Sequence, residues 1–221
     1  MMKVDGLRHN ALFCNIAEAE LMYLDAHARP FSYDKDETVF VQGDTSHSIY
    51  FLDNGRIKIS KLYHDGRKLT IDLVESGEFF GEMSLAGEKE RSNTAEATEK
   101  STGFAINKNV FEEFLRKRPE IAIKLIQLIG DKRLSMENLL EDMTFMDVQG
   151  RVVSLLIKYA DSGMVKIPLT HQEIADMTGT SRVSVSRTII KLRDKGLIQT
   201  TGDRIRLSDI NKLQTLISLE V

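Results

Sequence analysis

The sequence predicts an α+β chain in which an antiparallel β-roll of the jelly-roll type is followed by a long helix and by a small C-terminal helical part. Short alternating segments separated by glycine turns fill the first half, an apolar heptad pattern follows Pro119, and two helix-capping signals flank Gly179. These observations divide the 221 residues into three expected parts, 1–118, 119–146 and 147–221.

The first part alternates apolar and polar residues as strands with one buried face do. Residues 56–62 and 68–73 both alternate, and Asp65-Gly66 between them is a strong hairpin signal. Several short strands at such spacing favour an antiparallel roll or barrel. Helices are expected on either side of it, near 17–26 and 108–116.

A second pattern inside the roll concerns anions. Residues 80–85 read Phe-Gly-Glu-Met-Ser-Leu, and Arg91-Ser92 follow after five more residues. A glycine turn that opens a short helix offers free N–H groups to an anion, and an arginine can bind phosphate bidentately. The structural alternative makes Gly81 a turn residue and Glu82–Arg91 an ion pair. The spacing matches neither a Walker loop nor a dinucleotide fingerprint.

The long helix carries an apolar seam. The seam at heptad a and d positions comprises Ala122, Leu125, Ile129, Met136, Leu139 and Met143, interrupted by Lys132. Such a seam predicts a coiled-coil dimer interface, in which the named contacts are Leu125, Ile129, Met136, Leu139 and Met143. Burial of this face against the N-terminal part of the same chain is the alternative.

The C-terminal part reads as two short helices joined by a tight turn. Thr170 with Glu173 forms a capping-box pattern, Gly179 suits the reversal, and Thr180 or Ser181 caps the second helix. Leu169, Ile174 and Ala175 should face inward from the first helix, and Val185, Ile189 and Leu192 from the second.

This layout is that of a helix-turn-helix, which places side chains in the major groove of DNA. The residues expected to face DNA are Thr170, His171, Ser181, Arg182, Val183, Ser184, Ser186, Arg187 and Arg204. Arginine can bind guanine bidentately, and valine can pack on a thymine methyl group. The alternative is an ordinary helical hairpin with a solvated basic face.

The residues after the second helix favour the DNA interpretation. Residues 199–207 predict two short strands around a Gly-Asp turn, which would complete a winged helix and let Arg204 and Arg206 contact phosphates. The chain has a net charge of −3, but residues 148–221 hold 11 Lys+Arg against 7 Asp+Glu. A basic C-terminal third therefore follows an acidic body, as expected for a module that binds a polyanion.

Composition excludes several other classes. A single cysteine, Cys14, rules out a disulfide framework or a CxxC zinc site within one chain and favours a reducing cytoplasm; Cys14 itself is expected to be at least half-buried rather than a redox switch. No signal peptide or membrane span is expected. Five scattered histidines give no pair at metal-binding spacing, so no metal site is expected. An enzyme with a regulatory domain is the weakest alternative, because no catalytic constellation remains.

Taken together, these segments resemble the cyclic-AMP receptor protein/fumarate-nitrate regulator family of bacterial transcription factors over nearly the whole length. The matching segments are Gln42-Gly43-Asp44 with Gly55, residues 80–97, residues 145–151 and the helix-turn-helix. The resemblance implies a cyclic-nucleotide-binding-like β-roll, a dimer helix and a winged helix-turn-helix. It further implies homodimers that bind palindromic promoter sites and contact RNA polymerase.

The resemblance also assigns an effector site. Gly81, Glu82, Arg91 and Ser92 match the family's phosphate and ribose contacts for cyclic AMP. The full expected set is Gly81, Glu82, Met83, Ser84, Arg91, Ser92, Lys132 and Met136.

Three departures leave the effector open. Asn93 replaces the usual alanine, the loop before Arg91 is a residue shorter, and Met136 and Glu137 stand where the cyclic-AMP receptor protein has hydroxyls. Cyclic AMP, another anionic effector and an effector-independent member controlled by abundance are therefore the three alternatives. The iron–sulfur branch of the family needs cysteines that this chain lacks. At Val183 the chain resembles the nitrogen-control branch, since the cyclic-AMP receptor protein has glutamate there.

Overall fold

The computed structural model describes residues 7, 10, 12–13, 16–167, 169–202 and 204–218. It divides the chain into two compact units, Met1–Asp131 and Lys132–Val221. Cys14 and Asp203, for which the sequence supported predictions, lie outside the described residues.

The first unit is the β-roll with its flanking helices. Its elements are α1 (Glu18–His27), β1 (Arg29–Tyr33), β2 (Thr38–Phe40), β3 (Ser48–Asn54), β4 (Arg56–Leu62), β5 (Lys68–Glu75), β6 (Phe79–Phe80), β7 (Thr94–Ala97), β8 (Ser101–Asn107) and α2 (Lys108–Lys117). The described strands form two four-stranded antiparallel sheets, ordered β1-β8-β3-β6 and β2-β7-β4-β5. The α+β fold with a β-roll is therefore confirmed.

Two apolar clusters are formed by the described residues of this unit. In the larger one, helix residues pack on β3, and the rings of Phe13 and Phe51 lie 4.9 Å apart. The smaller cluster contains Ile57, Val74 and Phe80, which are all 0–1% exposed. Full burial of such side chains stabilises a fold by about 1.5–3 kcal/mol each.

The long helix α3 (Pro119–Phe145) begins in the larger cluster. Leu125 is only 5% exposed and packs there with Ile121. The core of its own chain thus already covers most of the Leu125 side chain, and its contact across a dimer seam stays a prediction. The alternative of burial within the chain holds for the first turns of the helix.

An apolar stripe remains exposed on α3. Ile126, Ile129, Met136 and Leu140 are 68%, 36%, 53% and 66% exposed, whereas Leu139 is half-buried. Their spacing of three, seven and four residues keeps them on one face of a helix. Ile129 and Met136 belong to the predicted seam, whereas Ile126 and Leu140 lie beside it, and the dimer interface itself stays a prediction.

The second unit contains the end of α3 and the C-terminal elements. These are α4 (Val148–Lys158), β9 (Ala160–Asp161), β10 (Met164–Val165), α5 (His171–Thr178), α6 (Arg182–Asp194), β11 (Ile198–Thr201), β12 (Arg204–Leu207) and α7 (Ile210–Ser218). Its described strands form one antiparallel sheet, ordered β11-β12-β10-β9. The predicted β-ribbon is present, and β9 and β10 extend it.

Hydrogen bonds fasten the end of α3 to α4. The Ser154 hydroxyl donates to Asp142 Oδ2 at 2.8 Å, and Arg151 Nη1 donates to the Met146 carbonyl at 2.9 Å. Asp147 caps α4 by accepting from the Gly150 N–H. The last turn of α3 therefore belongs structurally to the helix-turn-helix unit.

Candidate nucleic-acid interface and anion site

The first helix of the helix-turn-helix is fixed by its N-terminal cap. Thr170 Oγ1 accepts from the Glu173 N–H at 3.2 Å, and Glu173 Oε2 accepts from the Thr170 N–H at 2.7 Å. This reciprocal capping box is the one that the sequence predicts. Ile174 and Ala175 are buried at 0% and 1% exposure, as predicted.

The turn depends on Gly179. Its φ of 60° lies in the left-handed region, and the following Thr180 N–H donates to the Ala175 carbonyl at 3.0 Å. A Cβ at Gly179 would lie 3.2 Å from the Met143 Cε atom of α3. Of the two predicted caps for the next helix, Ser181 is the N-cap, since its Oγ accepts from the Ser184 N–H at 3.1 Å.

The outer face of α6 presents free cationic groups. Arg182, Val183 and Arg187 are exposed, while Val185 and Ile189 on the inner face are 0% and 3% exposed. In the part of the chain that the structure describes, neither arginine forms an ion pair. Their guanidinium donors are therefore available for base edges or phosphates.

Four of the predicted DNA-facing residues bond to one another within the motif. His171 Nδ1 lies 2.8 Å from Ser186 Oγ, which joins the start of α5 to the second turn of α6. The Ser184 hydroxyl lies 2.9 Å from that of Ser181. The His171–Ser186 contact links the two helices, and direct contact of these four side chains with DNA stays a prediction.

The wing presents two further arginines. Arg204 and Arg206 are exposed, whereas Ile205 and Leu207 between and after them are 3% and 5% exposed. This alternation puts both guanidinium groups on the outer face of β12. Sequence reasoning missed β9 and β10, although the Ser-Gly pair at 162–163, with φ of 50° and 79°, marks the hairpin turn between them.

The anion segment of the β-roll begins at a left-handed glycine. Gly81 has a φ of 76° and precedes a 3-10 turn over Glu82–Ser84. Met83 is 49% exposed, and Ser84 is 1% exposed with a hydroxyl that has no hydrogen-bond partner among the described residues. The predicted glycine turn is therefore present.

The guanidinium group of Arg91 is buried and hydrogen-bonded to backbone carbonyls of its own chain. Arg91 is 4% exposed; Nη1 donates to the Gly81 carbonyl at 3.1 Å, and Nη2 donates to the Ser48 carbonyl at 2.6 Å. The guanidinium carbon also lies 4.3 Å from the ring centroid of Phe40. Burial lowers the pKa of Arg91 from its ordinary value. The alternative of a Glu82–Arg91 ion pair is not found among the described residues.

Ser92 is hydrogen-bonded to Glu88, a residue that the sequence analysis did not place at this site. Its N–H and its hydroxyl donate to Glu88 Oε1 at 2.9 and 2.6 Å, and the Ser46 hydroxyl donates to Glu88 Oε2 at 3.1 Å. Burial raises the pKa of Glu88, but the hydrogen bonds from Ser92 and Ser46 lower it by more. The pKa of Glu88 therefore lies below its ordinary value. The signal available in the sequence was an acidic residue in the shortened loop before Arg91-Ser92.

An open polar cavity of about 510 Å³ borders Arg91. Its lining comprises Arg29, Thr45, His47, Ser48, Tyr50, Arg91 and Asn107. Of the predicted effector residues, this lining includes Arg91 alone. Two of the predicted effector residues, half-buried Lys132 and exposed Met136, lie on α3 in the second unit. Their contact with an effector stays a prediction.

Metal clusters and membrane-spanning helices are both absent from the described residues. No group of three or more His, Cys, Asp and Glu side chains is placed there to hold a metal ion. No described helix combines the length and the apolar character that crossing a bilayer requires.

Comparison with known proteins defines the class. The family model of the cyclic nucleotide-binding domain matches residues 30–118, and that of the Crp-like helix-turn-helix domain matches residues 150–216. The chain is thus a transcription regulator that joins a cyclic nucleotide-binding domain to a DNA-binding helix-turn-helix.

Its relatives define the family. The chain is 31% identical over 183 residues to the global nitrogen regulator of Synechococcus elongatus, covering 78% of this chain and 82% of that protein. It is 28% identical over 211 residues to the cyclic AMP receptor protein of Thermus thermophilus, covering 95% and 98%. The chain belongs to the cyclic-AMP receptor protein/fumarate-nitrate regulator family.

A solved structure shows the same fold. FixK2 from Bradyrhizobium japonicum superposes with a TM-score of 0.77 at 24% identity, covering 86% of this chain and 96% of that one. The family and the fold predicted from the sequence are confirmed. This family is one of regulators rather than enzymes, in line with the expectation from the residues.

Proposed function

We propose that the chain acts as a homodimer that reads a palindromic promoter site in double-stranded DNA and contacts RNA polymerase there, in the cytoplasm. The observation that carries the proposal is the outer face of α6, where Arg182 and Arg187 are exposed on a helix that Ser181 caps and α5 supports. Two such helices related by a two-fold axis would read half-sites one helical turn, about 34 Å, apart.

The residues divide into two roles at the DNA. Arg182, Val183 and Arg187 lie at the start of α6, where a recognition helix meets base edges. Arg204 on the wing and the capped N-terminus of α5 at Thr170 suit phosphate contacts, which position the protein without reading sequence.

The exposed stripe on α3 supports the proposed dimer. Ile126, Ile129, Met136 and Leu140 expose apolar surface along one face of a 27-residue helix. A soluble protein rarely leaves such a stripe bare, so a second copy of α3 is its natural cover.

For the effector we propose a small anion bound by the β-roll, with a cyclic nucleotide such as cyclic AMP as the leading candidate. The domain type supports this, and the relative from Thermus thermophilus is named a cyclic AMP receptor protein. An effector of this kind would shift the population toward the DNA-binding conformation; a coupling of about 1–3 kcal/mol changes affinity 5- to 150-fold.

A specific observation favours a second candidate, an effector-independent member controlled by its abundance. Arg91 and Ser92, the expected phosphate contacts, both bond to groups of their own chain. A β-roll whose anion donors are internally satisfied needs no nucleotide to order them.

Titration of the purified chain on a fluorescent palindromic duplex tests both candidates. We expect preference over a random duplex, and tighter binding with cyclic AMP or cyclic GMP that is lost in Arg91→Ala. Tight, specific binding that neither nucleotide changes would select the effector-independent candidate. Equal binding to palindromic and random duplexes would contradict the proposed function.

A further inference from the structure

We propose that Glu88 is an internal anionic ligand of the β-roll, which holds the donors of Ser92 and must leave them before the phosphate group of a nucleotide can bind there. The inference rests on the proposed effector function of this domain and specifies how the site is regulated.

The geometry is that of an occupied anion site. Two donors of one residue, the N–H and the hydroxyl of Ser92, converge on a single oxygen of Glu88, and a third donor from Ser46 reaches the other oxygen. Convergent main-chain and hydroxyl donors bind carboxylate and phosphate oxygens alike. The carboxylate therefore fills a place whose chemistry suits a phosphate.

The loop is built to bring Glu88 to this place. Gly87 before it has a φ of 90°, in the left-handed region, and the Glu88 N–H donates to the Met83 carbonyl at 3.1 Å. On the other side, the Ser46 N–H donates to the Lys89 carbonyl at 2.9 Å. Main-chain bonds before and after Glu88 thus fix the backbone that carries its side chain.

The carboxylate is held in its charged form. Its hydrogen bonds lower the pKa of Glu88 although burial opposes this, so Glu88 is anionic at neutral pH. An ionised carboxylate and a phosphate cannot share the same donors, because like charges in a partly buried site repel and each Ser92 donor can serve only one of them.

This competition reduces nucleotide affinity by a calculable factor. A ligand that binds only molecules with a vacated site has an apparent Kd equal to its intrinsic Kd divided by the vacated fraction. If Glu88 holds the donors in about nine molecules of ten, its removal should tighten binding about tenfold.

The experiment compares intact protein with Glu88→Ala and Glu88→Gln, using fluorescent cyclic AMP and fluorescence polarisation. Glu90→Gln is the matched control, because Glu90 is an exposed carboxylate two residues away on the same segment. We expect Glu88→Ala to bind cyclic AMP at least about tenfold more tightly than the unmodified chain, Glu88→Gln to lie between them, and the control to be unchanged.

Circular dichroism melting establishes that each variant is folded; should Glu88→Ala not fold, Glu88→Gln decides. Equal affinity in the unmodified chain and the Glu88 variants, including no binding by any of them, overturns the inference. An equal gain in Glu90→Gln also overturns it, because net charge would then be the cause.

Binding of the same preparations to the palindromic duplex tests the proposed function separately from the proposed role of Glu88. If the unmodified chain prefers the palindromic duplex but the Glu88 variants gain no affinity for cyclic AMP, the proposed function stands and the role of Glu88 is wrong. If no preference for the duplex is found, the proposed function fails regardless of nucleotide affinity.

Discussion

Truncation of Leu140 tests the dimer through the exposed stripe of α3. Full burial of a leucine side chain is worth about 1.5–3 kcal/mol. Since Leu140 is 66% exposed in the single chain, covering it with a partner helix should contribute about 1–2 kcal/mol. A two-fold dimer loses this twice in Leu140→Ala, about 2–4 kcal/mol, which raises the dimer Kd about 30- to 700-fold.

Sedimentation equilibrium over a range of protein concentrations measures this Kd. Met22→Ala on α1 is the control, because Met22 is 53% exposed but lies on another helix. We expect the control to dimerise like the unmodified chain. A monomeric unmodified chain, or an unchanged Kd in Leu140→Ala, would refute the reasoning.

Leu125→Ala separates the observed stripe from the seam predicted by the heptad pattern. Its side chain is 5% exposed inside the core, so its truncation should lower the free energy of unfolding by about 2–5 kcal/mol, with little change in dimer Kd. Weaker dimerisation at unchanged melting temperature would support the predicted seam.

Four other predictions concern DNA reading, the turn and acid stability. Arg187→Ala should relax base preference at one position of each half-site by about 1–3 kcal/mol for each bidentate pair, measured by competition with operator variants. Arg204→Ala should weaken all duplexes alike and reduce the slope of log K against log salt by about 0.9 for each phosphate that the arginine neutralises. Gly179→Ala should lower the melting temperature, because its left-handed backbone costs a side chain about 1 kcal/mol and the new Cβ would press on Met143. Glu96→Gln should flatten the acid side of the plot of melting temperature against pH. Burial raises the pKa of Glu96, but its two lysine partners lower this pKa by more, so the net shift is downward.

Matched comparisons sharpen these predictions. Gly66 also has a left-handed backbone, but a Cβ added there would have no atom within 4 Å. If Gly66→Ala lowered the melting temperature as much as Gly179→Ala, the Met143 contact would not be the cause of the loss. Glu96 bonds Lys58 at 2.8 Å and Lys68 at 2.9 Å. Because its folded pKa lies below its unfolded value, its contribution is present above the unfolded pKa and is lost as pH falls through the folded pKa. An unchanged acid profile in Glu96→Gln would contradict this assignment.

The sequence predicted most of the fold because its signals are local. The strand Arg56–Leu62 has the bounds that alternation predicts, and α3 ends at Phe145, one residue before the predicted end. The capping box at Thr170 and the glycine at 179 likewise depend on neighbours within a few residues. Such features can be located before any tertiary contact is known.

The features that the sequence did not reveal depend on contacts between distant residues. The heptad pattern could not tell that the face of Leu125 is taken by a core that includes Phe13 and Phe111, both of which lie outside the long helix. Glu88 accepts a hydrogen bond from Ser46, 42 residues earlier in the chain. Both are consequences of tertiary packing, which a pattern of neighbouring residue types does not contain.

The missing side chain at Gly179 brings the thioether of Met143 against the turn between α5 and α6. The end of the long helix therefore packs directly on the helix-turn-helix. In a dimer, the angle at which the two long helices cross would set the distance between the paired arginine-bearing helices. A small rotation at that crossing would then change whether this distance matches the helical repeat of DNA.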